Sequence, residues 1–173
     1  MTVRKILTEP DPFLRQISKD VNFVDDNIRK LMDDMLETMY EAPGIGLAAI
    51  QIGIPKRIIV IDLFKDNLKQ PLYFVNPRII VKSNNKTTYE EGCLSVPGQF
   101  AEIDRPMQCH ISYLDYHGKE KELKAEGLLA TCIQHEIDHL EGILFIDYLS
   151  KLKKNFIVKK LSKQKKALER IVV

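Results

Sequence analysis

The sequence has no tryptophan, only three cysteines and no long apolar run. An odd number of cysteines argues against a disulfide framework and for a reducing compartment. No segment approaches the roughly 18 consecutive apolar residues that indicate a membrane-spanning helix. The N-terminal segment has neither the apolar core of a secretory signal nor the basic, acid-free composition of an organellar one. These absences predict a cytoplasmic protein with no membrane partner.

The charge is nearly balanced but unevenly placed along the chain. The 173 residues carry a formal net charge of +2. Residues 149–173 hold nine basic side chains and one acidic one, a net of +8, so the rest of the chain carries −6. Apolar residues recur at helical spacing among these lysines, which predicts a basic C-terminal helix. The length favours one domain, 1–173, that includes this helix.

Helical patterns lie towards the ends of the chain and strand patterns lie in the middle. Apolar residues from 28 to 39 recur at helical spacing, and the helix should end at 42–44. Strand patterns occupy 57–62, 72–76, 78–81 and 87–90, and a hairpin spans 108–124. Pro77 indicates an edge strand or a bulge. Because helices and strands do not alternate, we expect an α+β fold, with antiparallel or mixed sheets around a central helix.

The central helix contains the motif H-E-x-x-H at residues 135–139. Residues four apart lie on one face of a helix, so His135 and His139 can reach the same metal ion. Glu136 then lies beside the ion as a candidate general base. The alternative is a chance match in which the histidines are hydrogen-bonded core residues. The apolar character of this helix favours a metal, because buried polar groups without partners are costly.

A catalytic site of this type needs a third protein ligand. Phe145 stands where a metzincin has its third histidine. A downstream glutamate ligand, as in thermolysin-like enzymes, is hardly available, because after Glu141 the only glutamate is Glu169 in the basic tail. The upstream candidates are Cys93, Cys109, Cys132, His110 and His117. Cys93 is favoured, because the preceding glycine permits close approach and thiolates bind the metals that imidazole binds.

A segment rich in small residues, 44–53, follows the first predicted helix. Its G-x-G lacks the third glycine and the preceding strand of a dinucleotide-binding loop. We expect an extended segment that lines a cleft and places Gln51 in it. The alternative is that Gln51 is a surface residue.

Three blocks, GIGLAAIQ at 44–51, EGCLS at 91–95 and QHEIDHLEG at 134–142, together resemble the signature motifs of the peptide deformylases. The resemblance covers nearly the whole chain, and the basic helix resembles the form common in Gram-negative bacteria. It implies a cytoplasmic bacterial metallo-hydrolase that removes the formyl group from the N-terminal formyl-methionine of nascent polypeptides and releases formate. An endopeptidase is not implied.

The resemblance also implies roles for individual residues. The metal ligands would be Cys93, His135 and His139. Glu136 would be the general base and acid for a metal-bound water or hydroxide, with Gln51 and the Leu94 N–H as oxyanion donors. The substrate would contact Ile45, Gly46, Tyr89, Glu91, Gly92, Leu128, Thr131 and Cys132. The ion would be ferrous iron in the cell, with zinc, nickel or cobalt as substitutes.

Two segments depart from the pattern of this family. Phe100 stands where many relatives have arginine, and residues 103–106 also differ, which leaves the outer substrate contacts open. The resemblance makes Arg105 a candidate partner for Asp138. It also implies a monomer whose basic C-terminal helix binds the ribosome near the exit tunnel. The competing functions are an endopeptidase and a metal-stabilised binding module without turnover, and the presence of both Glu136 and Gln51 argues against the second.

Overall fold

The computed structural model describes residues 2–171, except for the side chains of Asn67 and Ile171. Val172 and Val173, which end the predicted basic tail, lie outside the described residues. Within that range the α-helices are α1 (Asp26–Glu41), α2 (Gly127–Leu140) and α3 (Lys151–Ile171). Short 3-10 helices occur at Pro12–Arg15, Ala49–Ile52, Lys65–Asn67 and Phe145–Tyr148. None of the described helices is long and apolar enough to cross a membrane.

The strands form two antiparallel sheets. They are β1 (Gly46–Ala48), β2 (Ile58–Ile61), β3 (Leu72–Lys82), β4 (Lys86–Cys93), β5 (Val96–Pro106), β6 (Gln108–Leu114) and β7 (Glu120–Glu126). The larger sheet has the order β1-β2-β3-β6-β7, and β4 pairs with β5 in the smaller one. The α+β class predicted from the sequence is confirmed, and β1 is an edge strand.

Helices cover both faces of the larger sheet. The unbroken apolar run of β2 is buried on both faces, as expected for a central strand between two layers. On one face α2 packs through Ile133 and Ile137 against Ile59. On the other face α1 packs through Met32 and Met35 against Val60. These contacts hold α2, which carries the H-E-x-x-H motif, firmly on the sheet.

Residues 96–106 form β5, although the sequence predicted no strand there. A proline, a glycine and several charged side chains weaken the local signal. The strand is stabilised by pairing with β4, where Gly92 lies opposite Phe100. Val96 and Ile103 are also buried in a third core cluster, separate from the two that α2 and α1 form with the larger sheet. The omission therefore reflects tertiary pairing that intrinsic propensity does not encode.

Pro77 lies inside the continuous strand β3, in the interior of the larger sheet. The prediction of an edge strand is wrong. The bulge is confirmed, because the register with β6 shifts between Val75 and Arg78. Asn76 adopts a positive φ of 52°, and its side chain hydrogen-bonds the Val21 N–H at 2.8 Å and carbonyl at 2.9 Å. These two bonds stabilise the bulge around the proline.

The basic helix α3 is anchored by part of its apolar stripe. Ile157 and Leu161 are buried in the third cluster beside Phe145. Leu152 and Phe156 are 81% and 68% exposed, so only part of the stripe is docked. These two side chains lie away from the face that packs on the domain. Removal of α3 would therefore expose part of the core.

Gly142 ends the motif helix, as the sequence predicted. Its φ is +71°, its N–H donates to the His139 carbonyl at 3.1 Å, and the Ile143 N–H donates to the Asp138 carbonyl at 2.9 Å. This pair of bonds is a Schellman motif. A Cβ at position 142 would collide with the Arg15 carbonyl group. Glycine is thus required both by the backbone conformation and by close approach.

Candidate metal centre

Three potential metal ligands meet where the end of β4 lies beside α2. One ligand atom each from Cys93, His135 and His139 lies within 4.8 Å of the other two. The Cys93 sulfur is 3.2 Å from His139 Nε2. Among residues 2–171 no other such group of three was found. The favoured third ligand from the sequence is thus the one that the fold brings to the two histidines.

The other upstream candidates lie elsewhere. Cys109 is buried in the core between α2 and the larger sheet. His110 contacts Glu122 at 2.9 Å on the neighbouring strand, and His117 lies in the turn between β6 and β7. Cys132 is buried one turn before His135 and contacts the Ile45 carbonyl rather than the ligand group. None of them joins the cluster.

A buried carboxylate orients His135. Glu91 Oε2 lies 2.8 Å from His135 Nδ1, which leaves Nε2 as the available ligand atom. Arg105 binds both oxygens of Glu91, at 2.5 and 3.0 Å. Although burial opposes ionisation, the bonds to His135 and Arg105 lower the pKa of Glu91. Its negative charge is therefore retained at neutral pH.

The Arg105 guanidinium continues this network to the surface. It lies 2.8 Å from Asp138, so the expected Arg105–Asp138 pair is present and Asp138 is not simply a solvated residue. Tyr148 donates to the same Asp138 oxygen at 2.7 Å, and its ring centroid lies 4.9 Å from the Arg105 guanidinium carbon. His135, Glu91, Arg105, Asp138 and Tyr148 thus form one connected, hydrogen-bonded set.

The two imidazoles have opposite electrostatic environments. Burial disfavours charge on His135, but the Cys93 and Glu91 groups outweigh it and raise the pKa of this imidazole. Burial, reinforced by the neighbouring His135, lowers the pKa of His139. The groups around His135 therefore favour a positive charge on or beside its ring. The His139 imidazole is neutral and can donate an electron pair. A cation bound by all three residues fits both conditions.

Glu136 is a buried carboxyl without an ion-pair partner. It is 4% exposed, and its Oε2 has no hydrogen-bond partner among the described residues. Burial is the main cause that raises the pKa of Glu136 to about 7. The carboxyl packs on Gly46 of β1, where an added Cβ would lie 2.9 Å from Glu136 Cδ and 3.0 Å from the Cys132 sulfur. The carboxyl is thus positioned between the edge strand and the ligands.

Gln51 lies beside Cys93, in the 3-10 helix after β1. Its Oε1 accepts from the Ala48 N–H at 2.8 Å, which fixes the orientation of the amide. Its Nε2 donates to the Ser95 hydroxyl at 3.0 Å and lies 3.6 Å from the Cys93 sulfur. The segment 44–53 therefore contains a short strand and a helical turn and is not the continuous extended segment that we expected, but Gln51 does line the cleft.

A cavity of about 480 Å³ opens beside these groups. All the substrate contacts expected from the resemblance line it: Ile45, Gly46, Tyr89, Glu91, Gly92, Leu128, Thr131 and Cys132. Gln51, Cys93, Leu94, His135 and Glu136 also line it. The edge strand β1 forms one wall. The cavity therefore joins the candidate ligands, the buried carboxyl and an available strand edge.

Several contributors were not identified from the sequence. Phe145 stacks on His135, with ring centroids 6.2 Å apart and planes inclined at 24°. Ser95 holds Gln51, and Tyr148 completes the Arg105 network. Further cavity-lining residues are Pro43, Gly44, Glu90, Pro97, Gly98 and Phe100. Gly44 and Ser95 belong to the sequence blocks at 44–51 and 91–95, but no role was assigned to them, and the others lie in a turn, on β4 or β5, or in the 3-10 helix 145–148, outside those blocks.

A thiol, two imidazoles and a buried carboxyl at one end of a peptide-sized cavity define a metal-dependent hydrolase. Residues 3–155 match the family model for polypeptide deformylase. The chain belongs to the peptide deformylase family, whose members remove the N-formyl group from nascent peptides. The family and the enzyme class predicted from the three sequence blocks are thereby confirmed.

Individual relatives agree with this assignment. The chain is 67% identical over 174 residues to the peptide deformylase of Pelagibacter ubique, covering 100% of both chains. It is 55% identical over 167 residues to that of Rhizobium meliloti, covering 96% of each. The crystal structure of the Ehrlichia chaffeensis peptide deformylase in complex with actinonin matches with a TM-score of 0.91 and 47% identity, covering 95% of this chain and 98% of that one. The Legionella pneumophila enzyme matches with a TM-score of 0.90 and 46% identity, covering 98% and 99%.

Proposed function

We propose that this chain, acting as one catalytic domain, hydrolyses the formyl amide of formyl-methionine at the start of nascent polypeptides and releases formate. The observation that carries this proposal is the meeting of Cys93, His135 and His139 within 4.8 Å, where Cys93 and His135 line the same cavity as Glu136. Deformylation needs a water nucleophile, a proton acceptor and donors for the oxyanion. The cavity offers candidates for the proton acceptor and for the oxyanion donors.

The ligand group fits a divalent transition metal. One thiolate and two imidazoles are ligands that iron, cobalt, nickel and zinc all accept. When bound, such an ion acts as a Lewis acid and lowers the pKa of water. Cys93, His135 and His139 would hold the ion, and Glu91 would keep His135 in the tautomer that presents Nε2. We propose ferrous iron as the ion used in the cell, with zinc, nickel or cobalt as functional or inhibitory substitutes.

Glu136 would move the proton. Its Oε2 has no hydrogen-bond partner within residues 2–171, so it is available to accept a proton from the attacking water. With a pKa near 7, the same carboxyl would then return the proton to the leaving amine. Proton transfer of this kind accelerates reactions by about 10²- to 10⁴-fold.

Gln51 and Leu94 would stabilise the oxyanion. The Gln51 amide is held by Ala48 and Ser95, so its Nε2 is pre-oriented near the Cys93 sulfur. Leu94 follows Cys93 in the turn between β4 and β5, and its N–H would be the second donor. Each donor of this type contributes about 3–4 kcal/mol in the transition state.

The peptide would pair with β1 as an added strand. Edge strands bind extended peptides through backbone hydrogen bonds, and side-chain pockets supply selectivity. Ile45 and Gly46 offer the edge, and Leu128, Thr131 and Cys132 line the part of the cavity suited to the methionine side chain. Gly46 also lets the substrate backbone approach Glu136 closely.

The basic face of α3 would bind the ribosome. Phosphate backbones attract lysine, and the exposed lysines include Lys159, Lys160 and Lys163. Because Ile157 and Leu161 are part of the core, the test should keep the helix. Replacing the three lysines by glutamine should weaken salt-sensitive co-sedimentation with ribosomes. The matched control replaces Lys119, Lys121 and Lys124 on and beside β7, and equal loss in both variants would refute the assignment.

The decisive experiment uses anaerobically purified, metal-analysed protein as a monomer-sized fraction from gel filtration. It should release formate from a formyl-Met peptide and leave casein intact, whereas casein cleavage would favour an endopeptidase. Glu136→Gln should retain the metal and lose at least about 100-fold in kcat. Near-normal turnover by this variant would refute its role, and wild-type protein that is metal-loaded but inactive on the peptide would refute the proposed function.

A further inference from the structure

We propose that the N-terminal segment 2–9 is a positioning strap that holds Gln51 and Leu94, the two proposed oxyanion donors, at a fixed separation. The residues of this strap have no regular helix or strand structure, and residues 2–5 are exposed. None of residues 2–9 lines the cavity, so the strap would affect turnover without touching the substrate. Its role rests on the proposed deformylation, because the two donors have a function only if an oxyanion forms.

The two donors belong to different sheets, so strand pairing does not set the distance between them. Gln51 lies in the 3-10 helix that follows β1 of the larger sheet. Leu94 lies in the turn between β4 and β5 of the smaller sheet. Among the described strands, none of the larger sheet pairs with one of the smaller sheet. A direct link is the hydrogen bond from Gln51 Nε2 to the Ser95 hydroxyl at 3.0 Å, and backbone bonds to both segments would stiffen it.

The strap supplies one backbone hydrogen bond to each of these two segments. The Leu7 N–H donates to the Gln51 carbonyl at 2.7 Å, and the Glu9 N–H donates to the Ser95 carbonyl at 2.8 Å. Residues 7 and 9 are two apart, so in an extended chain their N–H groups point to the same side. Gln51 and Ser95 are 1% and 0% exposed, so water competes little for these carbonyls. Because Leu94 immediately precedes Ser95, the bond from Glu9 also restrains the Leu94 N–H.

The beginning of the strap is fixed to α1. The Thr2 N–H donates to Asp34 Oδ1 at 2.8 Å, and the Arg4 N–H donates to Thr38 Oγ1 at 2.9 Å. The Arg4 guanidinium also binds Asp34 Oδ2 at 2.8 Å. Asp34 and Thr38 are buried and lie one helical turn apart, so they form a firm attachment. The strap is therefore held at one end by α1, and its other end holds the two donor segments.

The expected loss is smaller than that caused by removing a donor. Removal of one oxyanion donor typically reduces kcat by about 10²- to 10³-fold. Without the bond from Leu7, the Gln51 amide would be displaced rather than lost, and a displacement of about 1 Å can cost about 100-fold. Because the bonds to Ala48 and Ser95 remain, we expect kcat to fall about 10-fold when the Leu7 N–H is removed. KM and metal content should stay within about twofold, because the donors act in the transition state.

The test removes the Leu7 N–H from the metal-loaded full chain and measures kcat and KM on the amide of formyl-Met-Ala-Ala. Leu7→Pro has no N–H at this position. A second variant carries the α-hydroxy analogue of leucine at position 7, which removes the N–H, keeps the side chain and avoids a failure of the proline variant to fold. The matched control is Lys5→Pro, because Lys5 is exposed and its N–H has no hydrogen-bond partner among residues 2–171. This control should keep the wild-type kcat.

Combination with Gln51→Ala distinguishes positioning of the amide from general damage to the fold. In the Gln51→Ala background, removal of the Leu7 N–H should reduce kcat by about twofold or less, because the amide that it positions is absent. A purely structural role of Leu7 would instead give losses that multiply. Multiplying losses, a higher KM at unchanged kcat, or loss of the metal would each overturn the strap.

The remaining outcomes distinguish the strap from the proposed function. Unchanged kcat in the α-hydroxy variant would overturn the strap and leave deformylation standing. Equal losses in Lys5→Pro and Leu7→Pro would overturn the specific role of the Leu7 N–H. A metal-loaded wild-type protein that does not release formate from the peptide would overturn the proposed function itself.

Discussion

Replacing Glu91 by glutamine tests whether a carboxylate behind the ligands sets metal affinity. The substitution preserves shape, and the new amide oxygen can still accept from His135. It removes the negative charge that binds His135 at 2.8 Å and Arg105 at 2.5 and 3.0 Å. Loss of such a partner of a ligating histidine typically costs 10- to 100-fold in metal affinity, about 1.4–2.7 kcal/mol.

The same substitution should also lower stability. Arg105 is 3% exposed, and the variant would leave it with Asp138 as its remaining carboxylate partner. Breaking a buried pair costs about 3–5 kcal/mol. Because Asp138 still pairs with Arg105, we expect a loss in unfolding free energy at the lower end, about 3 kcal/mol.

The assay is competition for zinc between the protein and a chromophoric chelator, together with denaturant unfolding of the metal-free protein. The matched control is Glu90→Gln, which removes the same charge from the adjacent, exposed position. The Glu90→Gln control should change zinc affinity and unfolding free energy little. A Glu91→Gln protein whose zinc affinity stays within threefold of wild type, roughly 0.7 kcal/mol, would refute the reasoning.

Three further expectations concern glycines and pH. Gly46→Ala should reduce kcat/KM at least about tenfold with metal content unchanged, since its Cβ would displace the Glu136 carboxyl. Steady-state kinetics with metal analysis would show this loss. Unchanged kinetics would contradict it. Gly142→Ala should lower unfolding free energy by more than the roughly 1 kcal/mol expected for Gly98→Ala. Both glycines have positive φ, but only at position 142 would the new Cβ collide with a neighbour, the Arg15 carbonyl group. Equal losses of unfolding free energy in denaturant melts would argue against this collision. Asp34 is buried, but its bonds to Arg4 and the Thr2 N–H outweigh burial and lower its pKa, so its contribution is present above the unfolded pKa and is lost as pH falls below about 4. The stability gap between wild type and Asp34→Asn should therefore narrow on acidification, and a gap that does not change with pH would contradict this sign.

Local periodicity accounts for what the sequence could predict about the site. Two histidines four residues apart on an apolar helix must share a face, so a metal-binding pair and a neighbouring carboxyl follow from helix geometry alone. Gly142 was recognisable as the helix end for the same local reason. The family followed from three motifs in order, because each motif combines residue types with distinct chemistry at fixed spacing.

Only the tertiary structure decided which residues complete that pair. Cys93 precedes His135 by 42 positions, and nothing local ranks it decisively above Cys109 or His117; the pairing of β4 beside α2 does so. The role of Glu91 in orienting His135 has the same origin, since a carboxylate in a strand has no local signature. Phe100 lines the cavity because β5, whose sequence weakly favours a strand, pairs with β4 and sets the ring on Gly92. Short-range spacing is encoded residue by residue, whereas contacts between distant segments depend on register and packing that the chain establishes only when it folds.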